Sequence, residues 1–172
     1  MKKILLLFIS SLLLFTAFTT KDKPSGKASK EGIKWLTYEE AVKMNAKKKK
    51  KIFIDVYTDW CGWCKRMDAT TMKDPRIVEY LNKNFYAVKL NAESTAASSY
   101  KGTSVTEKEL ATRIFKASGY PTTLYLDEQE NLLLNLAGFR EATELDKILH
   151  YLGEDKYKTL TWDQFLATYE AQ

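Results

Sequence analysis

Two cysteines and one histidine are all that this chain of 172 residues has of the usual zinc ligands. A structural zinc site takes four ligands, so Cys61, Cys64 and His150 would need carboxylates or a second chain to complete one. The excess of charge of one sign is also small. The formal net charge is +5, and it falls to +3 if Lys2 and Lys3 are removed with an N-terminal segment. So mild a balance implies no nucleic-acid partner. No low-complexity tract is long enough to suggest general disorder, and 45 % hydrophobic with 28 % charged residues is a globular composition. The chain is long enough for one domain with a full core.

Long apolar runs are confined to the N-terminus. Lys2 and Lys3 precede an apolar stretch, Ile4 to Phe18, broken only by Ser10, Ser11 and Thr16. Residues 1–19 therefore read as an export signal, with cleavage expected before Thr20. The stretch is short for a spanning helix, which needs about 20 apolar residues. Membrane attachment would come only through this segment left uncleaved. No cysteine follows it, so a lipid-modified N-terminus is not expected. Residues 20–32 are polar and aperiodic, a tether between signal and domain.

The centre of the chain is K-I-F-I-D-V-Y-T-D-W-C-G-W-C-K-R-M, Lys51 to Met67. Ile52 to Tyr57 has the length and the β-branched, aromatic composition of a buried strand. Cys61-Gly62-Trp63-Cys64 follows, then helical spacing. Cysteines three apart at a helix start share a face, within the roughly 4.4–6.8 Å Cα separation that a disulfide needs. The helix terminus supplies unsatisfied N–H groups and partial positive charge, favouring a thiolate at Cys61. The geometry suits a disulfide made to open and close. A purely structural bridge closing so short a loop would stabilise little.

Around this centre, strands and helices alternate. Ile33 to Leu36 reads as a short strand or an edge segment. Thr37 to Glu40 has capping-box spacing and opens a helix to about Ala46. Lys47 to Lys51 is a basic run that complements that helix's C-terminus, the other reading being an anionic-surface patch. Asp74-Pro75 restarts a helix whose apolar face is Ile77, Val78, Tyr80 and Leu81. Phe85 to Leu90 is a strand. Asn91 to Thr106 is small and polar and reads as an inserted loop, either passive or partner-binding. Thr106 to Ser118 reads as a helix ended by Gly119. Thr122 to Asp127 and Leu132 to Leu136 form a hairpin, and Glu141 to Leu152 is a helix stopped by Gly153. His150 on that helix reads as an ordinary, partly exposed histidine. Residues 154–172 suggest one more short helix, packed on the domain or presenting aromatic residues to a partner.

With its W-C-G-W-C-K core, Asp55 six residues before Cys61, Lys89 in V-K-L-N and Tyr120-Pro121-Thr122, the chain resembles the thioredoxin superfamily. The envelope thioredoxin-like proteins are the branch it is most similar to. The resemblance covers roughly residues 33–152, within a domain expected over residues 33–153. It implies an α/β thioredoxin fold, a mixed central sheet with helices on both faces, with an N-terminal extension and an extra C-terminal helix. It implies that Cys61 attacks a substrate disulfide and Cys64 resolves the intermediate. Asp55 would be the buried proton acceptor for Cys64, with Lys89 as its ion-pair partner and a solvated strand-end aspartate as the other reading. Pro121 would follow a cis bond, leaving Tyr120 to meet substrate beside Trp60, Gly62 and Trp63. No metal or cofactor enters this chemistry. The partners implied are exported proteins with disulfides and an unidentified electron donor, in the bacterial periplasm. Trp63 stands where the common reductant has proline. Gly62 and Trp63 bring no cation, and Lys65 and Arg66 are expected to point to water, so a reductase is expected ahead of a disulfide donor or isomerase. A thioredoxin-fold binding or chaperone module is the alternative of another class, and it would have no need of the cysteine pair.

Overall fold

The computed structural model describes residues 32–169. The export segment and all of the polar tether except Gly32 lie outside the described residues. Strands β1 (Trp35–Leu36), β2 (Lys51–Tyr57), β3 (Phe85–Asn91), β6 (Thr122–Leu126) and β7 (Leu132–Ala137) form one sheet in the order β1-β3-β2-β6-β7. The β1-β3 and β3-β2 pairs are parallel, and β2-β6 and β6-β7 antiparallel. This is the mixed, helix-covered sheet of a thioredoxin fold.

Alternation along β2 divides the core. Ile52, Ile54 and Val56 face one side, where α1 (Tyr38–Lys47) packs through Tyr38 and Ala41. Phe53 faces the other, against Met67 of α2 (Gly62–Ala69), Ile77 and Leu81 of α3 (Pro75–Asn84) and Leu145 and Leu149 of α5 (Ala142–Gly153). Asp55 shares the parity of Phe53, so its carboxylate lies on the α2 side. Helix starts follow local chemistry. Thr37 and Glu40 form the capping box, and Asp74 caps α3 with Pro75 as its first residue.

Several expectations are corrected. The segment 91–106 is not simply a loop, because β4 (Ala97–Tyr100) and β5 (Thr103–Thr106) pair as a separate antiparallel hairpin. Its anchor is apolar: Val105 is buried, and Tyr100 packs edge-on against Phe115 at 5.6 Å. The expected helix to Ser118 is much shorter. Helix α4 (Glu107–Glu109) runs into a π-helical turn, Leu110–Ile114, in which the Phe115 N–H donates to the Leu110 carbonyl at 3.0 Å. Phe115 is thereby buried against Tyr38, and Lys116 takes the positive φ expected of Gly119. Gly138 follows β7 with φ of 98°, and the sheet's irregularity falls at Tyr125/Leu126. Gly153 is the last residue of α5, not a stop beyond it. A Cβ there would come within 2.7 Å of the Tyr80 hydroxyl, so the α3–α5 approach demands its absence.

His150 is also not the partly exposed residue expected. It is buried, its ring centroid 4.0 Å from that of Tyr80, and Nδ1 donates to the Asp146 carbonyl at 2.9 Å. Beyond a 3-10 turn, Lys156–Lys158, helix α6 (Trp162–Thr168) returns to the domain, and Phe165 is buried against Tyr151 at 5.2 Å. Replacing Phe165 by alanine should destabilise the chain by about 3 kcal/mol in urea unfolding. Thiol exchange in the folded variant should be unchanged, whereas a partner surface at α6 would give the opposite pattern.

Candidate active site

Cys61 and Cys64 are joined in a disulfide with a Cα separation of 5.3 Å. Strand β2 ends at Tyr57, and Thr58 turns the chain, its carbonyl accepting the Cys61 N–H at 3.2 Å. Cys61 is the N-cap of α2, and its sulfur accepts the Cys64 N–H at 3.0 Å. A reduced Cys61 would therefore hold its thiolate against a helix N-terminus, which favours the anion. Cys61 is itself covered: it is 4 % accessible, against 3 % for Cys64. The exposed groups are its neighbours, Gly62 and the two tryptophans, Trp60 at 67 % and Trp63 at 55 %.

The tryptophans have separate aromatic supports. Trp60 lies edge-on to Tyr120 with centroids 6.1 Å apart, and Trp63 is 5.5 Å from Phe139. The Arg66 guanidinium lies over both Trp63 and Phe139, 5.2 and 5.4 Å from the ring centroids, instead of pointing freely into water. Lys65 is exposed as expected. The Tyr120-Pro121 bond is cis, and the Pro121 carbonyl accepts the Gly138 N–H at 2.7 Å. Thr71, beyond α2, donates to the Arg140 carbonyl at 2.7 Å, which ties the helix to the Gly138–Arg140 loop.

Behind the disulfide, Asp55 is 1 % accessible. The parallel register places Lys89 opposite it, and the ammonium donates to Asp55 Oδ2 at 2.6 Å. Asp55 Oδ1 is buried with no hydrogen-bond partner among the described residues. Burial pushes the Asp55 carboxyl up to about 6, Lys89 restraining the rise and Asp68 adding to it. Burial works against the charge on Lys89, but Asp55 and Asp68 together outweigh it and raise its pKa. The solvated reading of Asp55 is thus excluded.

The structure brings Cys61, Cys64, Trp60, Gly62, Trp63, Tyr120 and Pro121 to one end of the sheet, with Asp55 and Lys89 beneath. The sequence reading missed Phe139 and Asp68. Phe139 carries no local signal. Asp68 does, since four residues after Cys64 is the same face of the helix. Its Oδ1 accepts from Lys89 at 2.6 Å.

A thioredoxin fold with a Cys-x-x-Cys disulfide at the start of α2 defines the class of thiol-disulfide oxidoreductases. The family described as "Thioredoxin-like domain" matches residues 38–153, and the chain belongs to it. The thiol:disulfide interchange protein DsbD of Haemophilus ducreyi is 28 % identical over 141 residues, covering 78 % of this chain but 22 % of that protein. DsbD of Salmonella typhi is 30 % identical over 105 residues, 60 % of this chain and 17 % of that one. The chain thus spans about a fifth of the length of these curated relatives. Among solved structures, a putative disulphide-isomerase of Bacteroides thetaiotaomicron has a TM-score of 0.56 at 30 % identity, covering 73 % of this chain and 95 % of that one. A DsbH oxidoreductase has 0.58 at 16 % identity, covering 79 % and 93 %, and bears on the fold alone.

An acid whose folded pKa is raised from 3.8 to about 6 costs stability as it ionises. The cost is absent below the unfolded pKa, grows as pH rises through the folded one, and reaches about 3 kcal/mol above it. Asp55→Asn should abolish this fall in stability between about pH 4 and 6. At neutrality it should be more stable than the parent by on the order of 2–3 kcal/mol, since the raised pKa already contains the attraction of Lys89 and that ammonium keeps Asp68. Urea unfolding over a pH series measures both effects, and a retained slope would contradict the assignment.

Proposed function

We propose that the chain reduces disulfides of exported proteins in the bacterial cell envelope, using Cys61 and Cys64 as a dithiol. The observation that carries this reading is the disulfide at the α2 terminus with a buried, half-unpartnered Asp55 behind it. The export-type N-terminus and the likeness to DsbD support the location.

In the reaction, the Cys61 thiolate attacks one sulfur of a substrate disulfide. A Cys61–substrate S–S bond forms, and the substrate's other sulfur leaves as a thiolate. Asp55 accepts the Cys64 proton at its free Oδ1, and the Cys64 thiolate attacks the Cys61 sulfur. The Cys61–Cys64 bond forms and the second substrate sulfur departs, both substrate sulfurs ending as thiols once protonated. The substrate has gained two electrons and the chain has lost them, so a dithiol electron donor must regenerate it. Trp60, Gly62, Trp63 and Tyr120 surround the reacting bond and would contact the substrate, with Pro121 holding Tyr120 in place.

Direction follows from charge. A strong oxidant of this chemistry stabilises its first thiolate heavily, to a potential near about −120 mV, whereas the common reductant stands near about −270 mV. Here the nearby cations are committed elsewhere: Lys89 to two carboxylates and Arg66 to two aromatic rings. Little but the helix terminus remains to favour the Cys61 thiolate. The likeness to a putative disulphide-isomerase supports the second reading, a disulfide shuffler or donor.

Equilibration with glutathione should give a potential nearer about −270 than −180 mV, and a value above the latter would favour the second reading. Reduced protein should be alkylated by iodoacetamide at Cys61 well before Cys64. Cys64→Ser should accumulate mixed disulfides in envelope extracts and Cys61→Ser should not. Equal trapping by both variants would remove the assignment of the two thiols.

A further inference from the structure

We propose that Asp68 is a positioning residue of the exchange reaction, sharing the Lys89 ammonium so that Asp55 remains basic enough to take the proton of Cys64. This rests on the exchange reading above, and it adds a residue that neither the motif nor the comparisons single out.

The argument is geometric. Lys89 lies opposite Asp55 in the β2-β3 register, and its ammonium is 2.6 Å from Asp55 Oδ2 and equally 2.6 Å from Asp68 Oδ1. It is also held between two rings, 5.1 Å from the centroid of Trp35 and 4.9 Å from that of Tyr57. So confined, it does not swing to water when one partner changes. Accessibility rises along the chain of charges, 1 % for Asp55, 21 % for Lys89 and 42 % for Asp68. An isolated exposed pair such as Lys89–Asp68 would be worth little. Here the same cation also serves a carboxylate that has no water to screen it, so where the ammonium rests between the two carboxylates matters to Asp55.

The consequence is chemical. A cation committed to Asp55 alone would hold that carboxylate ionised to lower pH and make it a weaker base. With Asp68 present, the group titrates closer to neutrality than Lys89 alone would leave it, and can accept the proton of the Cys64 thiol. The titratable and charged groups around Asp55 are few. They are Lys89 on β3, Asp68 and the two cysteines on α2, Tyr57 on its own strand, and Tyr125 on β6, whose phenol burial keeps neutral. Of these, Asp68 alone is both anionic and in contact with Lys89.

The test uses the full chain and reads Asp55 directly. In the oxidised protein, the carboxyl carbon of Asp55 is titrated by carbon-13 resonance in the parent, Asp68→Asn and Asp68→Glu. Asp68→Asn should lower the midpoint by about half a pH unit or more, a resolvable part of the 1–3 units an opposite charge can impose. Asp68→Glu should restore it. In a Lys89→Met background, Asp68→Asn should shift the midpoint by less than half as much. A midpoint unmoved by Asp68→Asn, or moved equally with and without Lys89, overturns the proposal.

The chemical step is then followed with an aromatic disulfide, 5,5′-dithiobis(2-nitrobenzoate). Its first thiolate is released on attack by Cys61 and its second on resolution by Cys64. In Asp68→Asn the pH dependence of the second release should move down with the Asp55 titration, and its plateau should fall several-fold. A second release that ignores the Asp55 titration in every variant also overturns the proposal. That result leaves the reductase reading standing, because the glutathione equilibrium tests it separately.

Discussion

The burial of one carboxyl group, Asp55, is the constraint on which the site depends. Leaving it in a core lined by Phe53, Met67 and Tyr125 is costly, and the fold meets that cost by pairing, not by exposure. The lysine that does so is delivered by strand register. A slip of one residue between β2 and β3 would send Lys89 to the opposite face of the sheet, and Asp55 would lose its cation. The parallel β1-β3-β2 arrangement and the packing of α2 over Asp55 are thus parts of one electrostatic solution.

The frame around that pair was largely legible in the sequence. The strand Ile52–Tyr57, the capping box at Thr37, the Asp74-Pro75 start and the Cys61/Cys64 pair all follow from short-range rules, in which the residues that decide are neighbours along the chain. Asp55 and Lys89 could be named only through resemblance, since 34 residues separate them and nothing local links them. The rest was hidden for similar reasons. The β4-β5 hairpin is built of serine, threonine and alanine, and its stability comes from Tyr100 and Val105 meeting the core. The π-helical turn at Leu110 exists because Phe115 is drawn into the pocket of Tyr38 and Tyr100, a tertiary demand that overrides helical spacing. His150 looked ordinary because its partners, Tyr80 and Tyr169, lie on other segments.

The surface over the disulfide is built on another principle. The sulfurs themselves are covered, and what solvent meets is aromatic. Trp60 leans on Tyr120 from β6's approach, and Trp63 on Phe139 from the end of β7. Both supports thus come from the antiparallel β6-β7 half of the sheet. Arg66 fastens the second wall, its guanidinium lying over both rings.

The 5.3 Å between the Cα atoms of Cys61 and Cys64 also has a kinetic meaning. Two groups held one helical turn apart meet at an effective concentration far above that of any thiol in solution, since no translational freedom remains to be lost. In the exchange proposed above, a partner captured on Cys61 would therefore not wait for a second molecule to free it. Its residence time would be set by how long Cys64 keeps its proton, so the lifetime of the covalent complex would be governed from inside the domain.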